Sequence, residues 1–311
     1  MISCTDFILS YSELFSYLDS HYGRQEVDRY WESIFTPDGN NNPLILFVQK
    51  EGIRGCMSYW SGTLNEEAAD FTLYLNEKAG WFLLAMHNCP SKGRLLKFAD
   101  TLGIKPFRDY CLHCDHYRAA IEKVGLNYTY NFVGMDKASC SILITDPKVF
   151  DGRVIVDENT EVLDRRASDN AYFHLDFHRG TNQAVNYMVR NHGIEALIDY
   201  LTTYTKNVYA NLIEQVKIKG LTPIFWMIKE TYDKEKAPEA LDLTLSDEEL
   251  LVEVGFCPAV RYYHSAGIPV APGYEYTTSV VMQTIAQETG YQFEMMYYDE
   301  ETGAARYRFY R

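Results

Sequence analysis

Residues 71–90 read FTLYLNEKAGWFLLAMHNCP, two apolar runs on either side of a polar turn, followed by a Cys-Pro dipeptide. Short apolar runs bounded by turn residues are typical of paired β-strands. Residues 241–258, LDLTLSDEELLVEVGFCP, repeat this arrangement and end at Cys257-Pro258. Because proline is favoured in the first turn of a helix, each stretch predicts a β-hairpin that leads into a helix.

The similarity between the two stretches extends in both directions and keeps its order along the chain. Matched residues keep one constant spacing, without a gap, across residues 52–89. Chance matching of common residue types explains such a run poorly, so the sequence predicts a tandem duplication. Two copies in one chain are expected to pack about a pseudo-twofold axis, as the subunits of homodimers do. The matched pairs include Gly23 and Gly193, Gly52 and Gly220, Leu73 and Leu241, Cys89 and Cys257, Gly103 and Gly267, and Gly125 and Gly290.

Each copy is predicted to combine a helical layer with a small antiparallel sheet, which is an α+β architecture. Closing pairs of strands are expected at 128–133 with 139–144, and at 291–298 with 304–310. The first repeat then spans residues 1–148 and the second spans 171–311. The connector between them, residues 149–170, is expected to form a hairpin, because two short apolar runs flank a polar Glu158-Asn-Thr turn.

The composition excludes several classes of protein. The 311 residues carry a formal net charge of −14, which repels phosphate groups, so neither nucleic acid nor an anionic membrane is expected as a partner. No apolar run approaches the roughly 18 residues of a membrane span. Residues 1–17 lack the basic segment of a secretory signal, so a cytoplasmic location is expected. There, the seven cysteines are expected to stay reduced or to bind metal.

Four cysteines of the first repeat occupy positions that suit a tetrahedral metal site. Cys111 and Cys114 form a C-x-x-C motif, which on a helix places both sulfur atoms on one face. Cys89 lies at the strand-to-helix corner and Cys140 begins the last strand, so the topology is expected to bring both to that helix. Thiolates suit zinc, which makes zinc the candidate cofactor. The alternative is four buried free cysteines, which behave as small apolar residues.

The same region carries a series of short motifs: Cys89-Pro90, Gly103-Ile104, Tyr110-Cys111 with Asp115, and Gly134-Met-Asp136 before Cys140. This series resembles the family of L-2-amino-thiazoline-4-carboxylic acid hydrolase-like proteins. It is also similar, more distantly, to the vinyl-reductase-type ligand-binding domain, some members of which hold zinc with cysteines and a carboxylate. The resemblance covers about residues 80–145 well and 250–311 faintly.

The resemblance implies a vinyl-reductase-domain-like fold and a hydrolase that acts on a small carboxylated or heterocyclic C–N or C–S compound. It also implies that Cys111 and Cys140 are zinc ligands and that Cys89 falls near an acidic ligand of the vinyl-reductase-type pattern. That pattern expects a further cysteine shortly before Gly134, which this sequence lacks. Cys114 is the candidate replacement.

The second repeat lacks this cysteine set but carries His174-Leu-Asp176-Phe-His178. On a strand this spacing places all three side chains on one face, whereas on a helix only the two histidines share a face. His178 and Asp176 are therefore candidate catalytic residues, and His174 is a candidate for ligand or metal binding. The alternative is that Asp176 caps a helix and that both histidines lie at the surface.

Cys257 is a candidate nucleophile, because a cysteine at a helix N-terminus has a lowered thiol pKa. Either His178 or His264 is the candidate base. The alternative is that Cys-Pro is a structural corner shared by both repeats, as Cys89-Pro90 indicates. Three tyrosines of the second repeat are candidates for lining a ligand pocket, and the alternative for them is a place in the core. They are Tyr262, Tyr274 and Tyr276.

Two functions of different classes follow from the sequence. The first is a hydrolase with a zinc site in the first repeat and a reactive site in the second repeat or between the repeats. The second is a non-catalytic protein that binds a small molecule and uses its metal only to hold the fold. Both have a small-molecule partner, and the sequence leaves open whether the chain forms a homo-oligomer.

Overall fold

The computed structural model describes residues 1–35, 42–132 and 134–311, which form two compact units. The N-unit comprises Leu18–Thr101 and Lys105–His174, and the C-unit comprises Met1–Tyr17, Leu102–Ile104 and Leu175–Arg311. Residues 1–17 therefore belong to the C-unit, although they precede the N-unit in the chain. Residues 149–174, which contain the predicted connector, belong to the N-unit.

The first half of the chain contains six α-helices and five strands among its described residues. The helices are α1 (Phe7–Tyr22), α2 (Arg24–Phe35), α3 (Pro43–Glu51), α4 (Arg54–Glu66), α5 (Pro90–Leu102) and α6 (Tyr117–Lys123), and a 3-10 helix covers Tyr110–His116. The strands are β1 (Asp70–Asn76), β2 (Trp81–Asn88), β3 (Asn127–Asn131), β4 (Cys140–Thr145) and β5 (Glu161–Arg165).

The second half has a similar series of elements. Its helices are α7 (Phe177–His192), α8 (Ile194–Val208), α9 (Ala210–Lys219), α10 (Thr222–Lys234), α11 (Pro258–Ser265) and α12 (Tyr276–Thr289). Its strands are β6 (Leu241–Leu245), β7 (Glu249–Val254), β8 (Gln292–Tyr298) and β9 (Ala305–Tyr310). Helices and antiparallel sheets together confirm the α+β class. No helix of the described residues is both long and apolar enough to cross a membrane.

The stretch at 71–90 forms the predicted hairpin of β1 and β2. Its turn is closed by Asn76, whose side-chain oxygen accepts a hydrogen bond from the amide of Ala79 (3.0 Å). Leu73 pairs with Leu84 across the two strands, and both side chains are buried. Trp60 on α4 stacks on Phe82 of β2, with ring centroids 5.5 Å apart. The core of the N-unit lies on this hairpin and extends to α3, α4 and α6.

The two sheets have the same strand order over four strands. The N-unit sheet has the order β3-β4-β2-β1-β5, and the C-unit sheet has the order β6-β7-β9-β8. Read from the outer strand, β3-β4-β2-β1 corresponds to β8-β9-β7-β6. All pairs in both sheets are antiparallel, as predicted. The predicted strand at 128–133 ends at Asn131, and residue 133 lies outside the described residues.

The connector differs from the predicted hairpin. It contributes one strand, β5, which pairs with β1 at the edge of the N-unit sheet, for example Leu163 with Leu73. Residues 154–156 form no strand. The physical reason is that the outer edge of β1 offers unpaired backbone groups and an apolar neighbour, which a solvent-exposed hairpin lacks.

The matched glycines share one backbone conformation. Each has a positive φ, between 64° and 86°, a region that residues with a side chain rarely adopt. Gly52 and Gly220 both follow a helix, α3 in one case and α9 in the other. The recurrence of glycine therefore marks recurring turns. The pairs are Gly23 and Gly193, Gly52 and Gly220, Gly103 and Gly267, and Gly125 and Gly290.

Candidate metal centre

Four cysteines of the N-unit are placed by separate pieces of chain. Cys89 lies between β2 and α5, where its sulfur accepts a hydrogen bond from the amide of Lys92 (3.4 Å). Cys111 and Cys114 lie on a 3-10 helix. Cys140 begins β4, opposite Met86 of β2. All four are partly buried, and no disulfide joins any of the seven cysteines.

The cysteines raise one another's pKa values, which indicates that they lie in one region of the N-unit. Burial raises the pKa of Cys89 to about 12, and the neighbouring Cys140 and Cys111 contribute to the rise. Burial also raises the pKa of Cys114 well above its ordinary value, with contributions from the other three. Burial likewise raises the pKa of Cys140 to about 11. We refer to Cys89, Cys111, Cys114 and Cys140 as the cysteine cluster.

His113 adds a nitrogen beside the cysteine cluster. Its Nδ1 donates a hydrogen bond to the carbonyl of Tyr110, and its Nε2 lies 3.4 Å from the sulfur of Cys114. Burial lowers the pKa of His113 to about 4, so the ring is neutral at neutral pH. With Nδ1 carrying the proton, Nε2 presents its lone pair toward Cys114.

Two residues near the cysteine cluster were not predicted from the sequence. Glu67 follows α4, and its negative charge raises the pKa of Cys89. Burial raises the pKa of Glu67 itself to about 7, although His174 and Arg94 oppose the shift. Tyr130 on β3 hydrogen-bonds to Cys140, and burial raises the pKa of its phenol. Glu67 could have been found from the repeat, because it has the spacing from Glu235 that Cys89 has from Cys257.

The structure does not bring His174, Asp176 and His178 together on a strand. Helix α7 begins at Phe177, so the three residues bracket a helix start. His174 belongs to the N-unit, where its Nδ1 lies 2.5 Å from a carboxylate oxygen of Glu66. Asp176 is exposed and accepts a hydrogen bond from the hydroxyl of Tyr262 (2.6 Å). The constellation expected on one strand face is therefore not formed, because the local chain is helical.

The capping alternative for this segment is also wrong. Asp176 occupies the N-cap position of α7, but its side chain makes no capping hydrogen bond and pairs with Arg179 (3.0 Å). His174 is only 8% exposed and His178 is fully buried, so neither is a surface histidine.

His178 instead meets two residues that are distant in sequence. Its Nε2 lies 2.8 Å from one carboxylate oxygen of Glu235, and the other oxygen accepts the amide hydrogen of Cys4 (2.6 Å). Donor atoms of Cys4, His178 and Glu235 all lie within 4.8 Å of one another, the one such group of three donors among the described residues. The cysteine cluster is more widely spaced than this, so its sulfurs must approach one another to share an ion.

Cys257 does not have the reactive environment that the sequence predicted. Burial raises the pKa of its thiol and outweighs the Met1 ammonium and the backbone amides at the N-cap of α11, which both lower it. His264 is exposed and donates to the carbonyl of Glu301 (2.7 Å). No hydrogen bond joins Cys257 to a histidine in the described part of the chain, so the predicted dyad is not assembled.

The three candidate tyrosines do not line the apolar cavity found in the C-unit. Tyr262 hydrogen-bonds to Asp176, Tyr274 is buried in the core, and Tyr276 begins α12. The cavity lies among α1, α7, α8 and α12, and its lining includes Phe7 and Leu14. None of the proposed catalytic or ligand-binding residues lines it. No family model, curated protein or solved structure matches this chain.

Proposed function

We propose that this chain is a zinc-thiolate hydrolase that acts on a small carboxylated or heterocyclic C–N or C–S compound, with its reacting centre at the cysteine cluster. The observation that carries the proposal is the convergence of four cysteines from separate elements beside Glu67, a carboxyl group whose pKa is about 7. The resemblance of the motifs between Cys89 and Cys140 to the hydrolase-like family supplies the substrate class.

The donor set fits zinc. Zinc binds thiolates, and a thiol must lose its proton to become a ligand. In the cysteine cluster, burial and the mutual repulsion of thiolates keep the pKa values high. A divalent cation would offset both effects, because it neutralises the charges that burial disfavours. When bound with one position open, zinc polarises a substrate atom and lowers the pKa of water.

Two further side chains suit proton transfer and substrate binding. Glu67 is positioned beside Cys89, where its carboxylate could accept a proton and return it during hydrolysis. Lys92 lies close enough to lower the pKa of Cys111, so its ammonium group would attract a substrate carboxylate to the same place. Hydrolytic enzymes with cysteine-bound zinc and a separate glutamate for proton transfer follow this division of labour.

A second function is favoured by the number of cysteines. If all four bind the ion, the tetrahedral shell is closed, which is typical of structural zinc. The chain would then be a non-catalytic, vinyl-reductase-domain-like protein that binds a small molecule. Glu67 would in that case contribute only polarity to the site.

Metal analysis tests the centre itself. We expect the Cys111→Ser, Cys114→Ser double variant to hold one zinc ion fewer per chain than the parent, measured by elemental analysis after removal of loosely bound metal. Cys56→Ala is the matched control, because Cys56 is a fully buried cysteine in the N-unit core. Equal zinc in the double variant and the parent would contradict the proposal.

Turnover then separates the two functions. Glu67→Gln keeps the shape of the side chain but removes its proton chemistry, so we expect it to retain zinc and to lose hydrolysis. The readout is mass spectrometry of a panel of small carboxylated heterocycles incubated with each protein. Binding of a panel member without turnover by the zinc-loaded parent would favour the non-catalytic function.

We further propose that the two halves arose by duplication. The shared strand order, the glycines with positive φ and the Cys-Pro corners at Cys89 and Cys257 support this. A reducing, cytoplasmic location is consistent with a function that depends on thiol ligands.

A further inference from the structure

The buried group of Cys4, His178 and Glu235 lies in the C-unit, which lacks the cysteine cluster. Cys4 precedes α1, His178 lies in the first turn of α7, and Glu235 follows α10. The side chains of His178 and Glu235 are fully buried, and Cys4 is fully buried as well. Three potential ligands from three segments therefore meet where water does not reach.

The hydrogen bonds of this group leave one ring nitrogen of His178 unused. Glu235 receives the amide hydrogen of Cys4 at one oxygen and lies 2.8 Å from Nε2 of His178 at the other. Nδ1 of His178 is buried and has no hydrogen-bond partner among the described residues. A buried nitrogen without a partner is unfavourable. Because Glu235 lies on the Nε2 side of the ring, Nε2 is the nitrogen that would face an ion shared with Glu235, and Nδ1 would then carry the ring hydrogen.

The charges of the group match a divalent cation. A Cys4 thiolate and the Glu235 carboxylate carry two negative charges, and the His178 ring is a neutral ligand. Together they would balance the charge of a zinc-type ion. On binding, the Cys4 thiol releases its proton to solvent, and the metal–sulfur bond takes its place.

The position of the group within the C-unit corresponds to that of the cysteine cluster in the N-unit. Glu67 and Glu235 are the residues that follow α4 and α10, and each raises the pKa of the cysteine at its Cys-Pro corner, Cys89 or Cys257. The C-unit lacks the other cysteines at this place but has Cys4 and His178 there. The donor set is thus different rather than absent.

We propose that Cys4, His178 and Glu235 form a second metal site, which takes a zinc-type divalent cation and fastens residues 1–6 to α7 and α10. The site is buried, so it is loaded as the C-unit folds and exchanges its ion slowly. It does not require that the cysteine cluster bind metal.

Elemental analysis of refolded full-length protein tests this site with zinc as the probe. The protein is unfolded in the presence of a chelator, refolded with zinc, and freed of loosely bound metal. We expect two zinc ions per chain in the parent, one in Cys4→Ser, one in the Cys111→Ser, Cys114→Ser double variant, and none in the triple variant. Cys4→Ser keeps the backbone amide that binds Glu235, so circular dichroism should show an intact fold.

His264→Ala is the matched control for His178→Gln, since it removes an exposed histidine from the same unit. We expect His178→Gln to lose one ion and His264→Ala to lose none. If Cys4→Ser and His178→Gln hold as much zinc as the parent, the second site is wrong. A parent with one ion that only the double variant loses overturns this site and leaves the cysteine cluster standing. A parent with one ion that only Cys4→Ser loses does the reverse.

Discussion

At the scale of single residues, Gly55 sets the distance between α3 and α4. A Cβ atom added there would lie 2.4 Å from the backbone carbonyl of Phe47 on α3, closer than any real contact allows. Backbone atoms cannot move aside as a flexible side chain can, so the two helices would have to separate. Helix propensity alone would favour alanine over glycine at this position, and close approach overrides it.

We expect Gly55→Ala to destabilise the protein by about 1–3 kcal/mol, the usual cost of overpacking a tight contact. Gly62→Ala is the matched control on the same helix, because nothing lies within 4 Å of its added Cβ. It should stabilise the protein by up to about 1 kcal/mol through helix propensity. Urea unfolding of both variants gives the two values. A neutral Gly55→Ala would contradict the close approach of α3 and α4.

Glu13 is a second single residue with a predicted effect, a pH-dependent contribution to the stability of the folded protein. The side chain is 7% exposed and accepts a hydrogen bond from Asn207 (2.7 Å). Burial raises its pKa above the ordinary value of 4.5, and the hydrogen bond offsets only part of this rise. Between 4.5 and the raised pKa, the folded protein therefore binds more protons at this group than the unfolded chain does.

Its contribution to the free energy of unfolding should consequently fall as pH rises from about 4.5 to the raised pKa, and stay constant above it. Glu13→Gln removes this slope and should be the more stable protein at pH 8, because the parent must bury a carboxylate there. A tenfold difference in proton affinity between the folded and unfolded states corresponds to about 1.4 kcal/mol.

Urea unfolding at pH 5 and pH 8 measures the difference between Glu13→Gln and the parent. Glu214→Gln, which removes an exposed carboxylate from the same unit, is the control. Identical pH slopes for Glu13→Gln and the parent would show that the carboxyl is not buried in solution.

At the scale of elements, the 3-10 helix Tyr110–His116 depends on its surroundings. It has no side-chain cap at Asp109, and 3-10 helices of this length are uncommon because their hydrogen bonds have poor geometry. Two of its residues, Cys111 and Cys114, are proposed zinc ligands. Metal binding would thus hold the element from one side.

Removal of zinc with a chelator should increase amide hydrogen exchange in residues 110–116 at least about tenfold. The hairpin of β1 and β2, which lies in the N-unit core, should keep its protection. Hydrogen exchange with mass spectrometry on the loaded and stripped protein measures both segments in one experiment. Unchanged exchange in residues 110–116 would mean that metal does not support this helix.

Local patterns decided which elements the sequence could reveal. The hairpin at 71–90 and the Cys-Pro corners depend on alternation and turn residues within a few positions, and these signals were sufficient. Whether His174 and His178 lie on one face depends on where α7 begins, because a strand and a helix direct the same residues differently. The burial of Cys257 and the approach of Glu67 to Cys89 come from tertiary packing, which leaves no local pattern.

At the scale of the whole molecule, the repeat did not predict which segments of the chain form the C-unit. Matching residues predicted a boundary near residue 171, yet residues 1–17 pack within the C-unit. Phe7 stacks on Phe177 with centroids 4.8 Å apart, and the hydroxyl of Tyr200 donates to the carbonyl of Ser10 (2.8 Å). Contacts between residues so far apart in sequence arise only in the folded chain.

We expect the fragment 171–311 to be unfolded when it is expressed alone. It lacks Phe7, Tyr11 and Leu14, which are buried against α7 and α8 in the full chain. Burial of one such side chain contributes roughly 1.5–3 kcal/mol, so the fragment lacks about 5–9 kcal/mol of stabilisation, which is comparable to the total stability of a domain. Thermal melting followed by circular dichroism shows whether the fragment has a cooperative unfolding transition.

Co-expression with fragment 1–170 should restore a cooperative transition, and a 1–170 fragment with Phe7→Ala and Leu14→Ala should restore it poorly. The alanine variant controls for any general effect of the second fragment. A fragment 171–311 that melts cooperatively at the temperature of the intact protein would refute the prediction.

The place of residues 1–17 also sets the order of events during biosynthesis. These residues are translated before the helices that receive them, which are complete only when residue 289 has been added. Because translation adds about 5–20 residues per second, the apolar face of α1 lacks its partner helices for on the order of tens of seconds. During that interval the nascent chain exposes Phe7 and Leu14 to a crowded cell. Chaperone dependence should therefore concentrate on residues 1–17 rather than on the later helices that bury them.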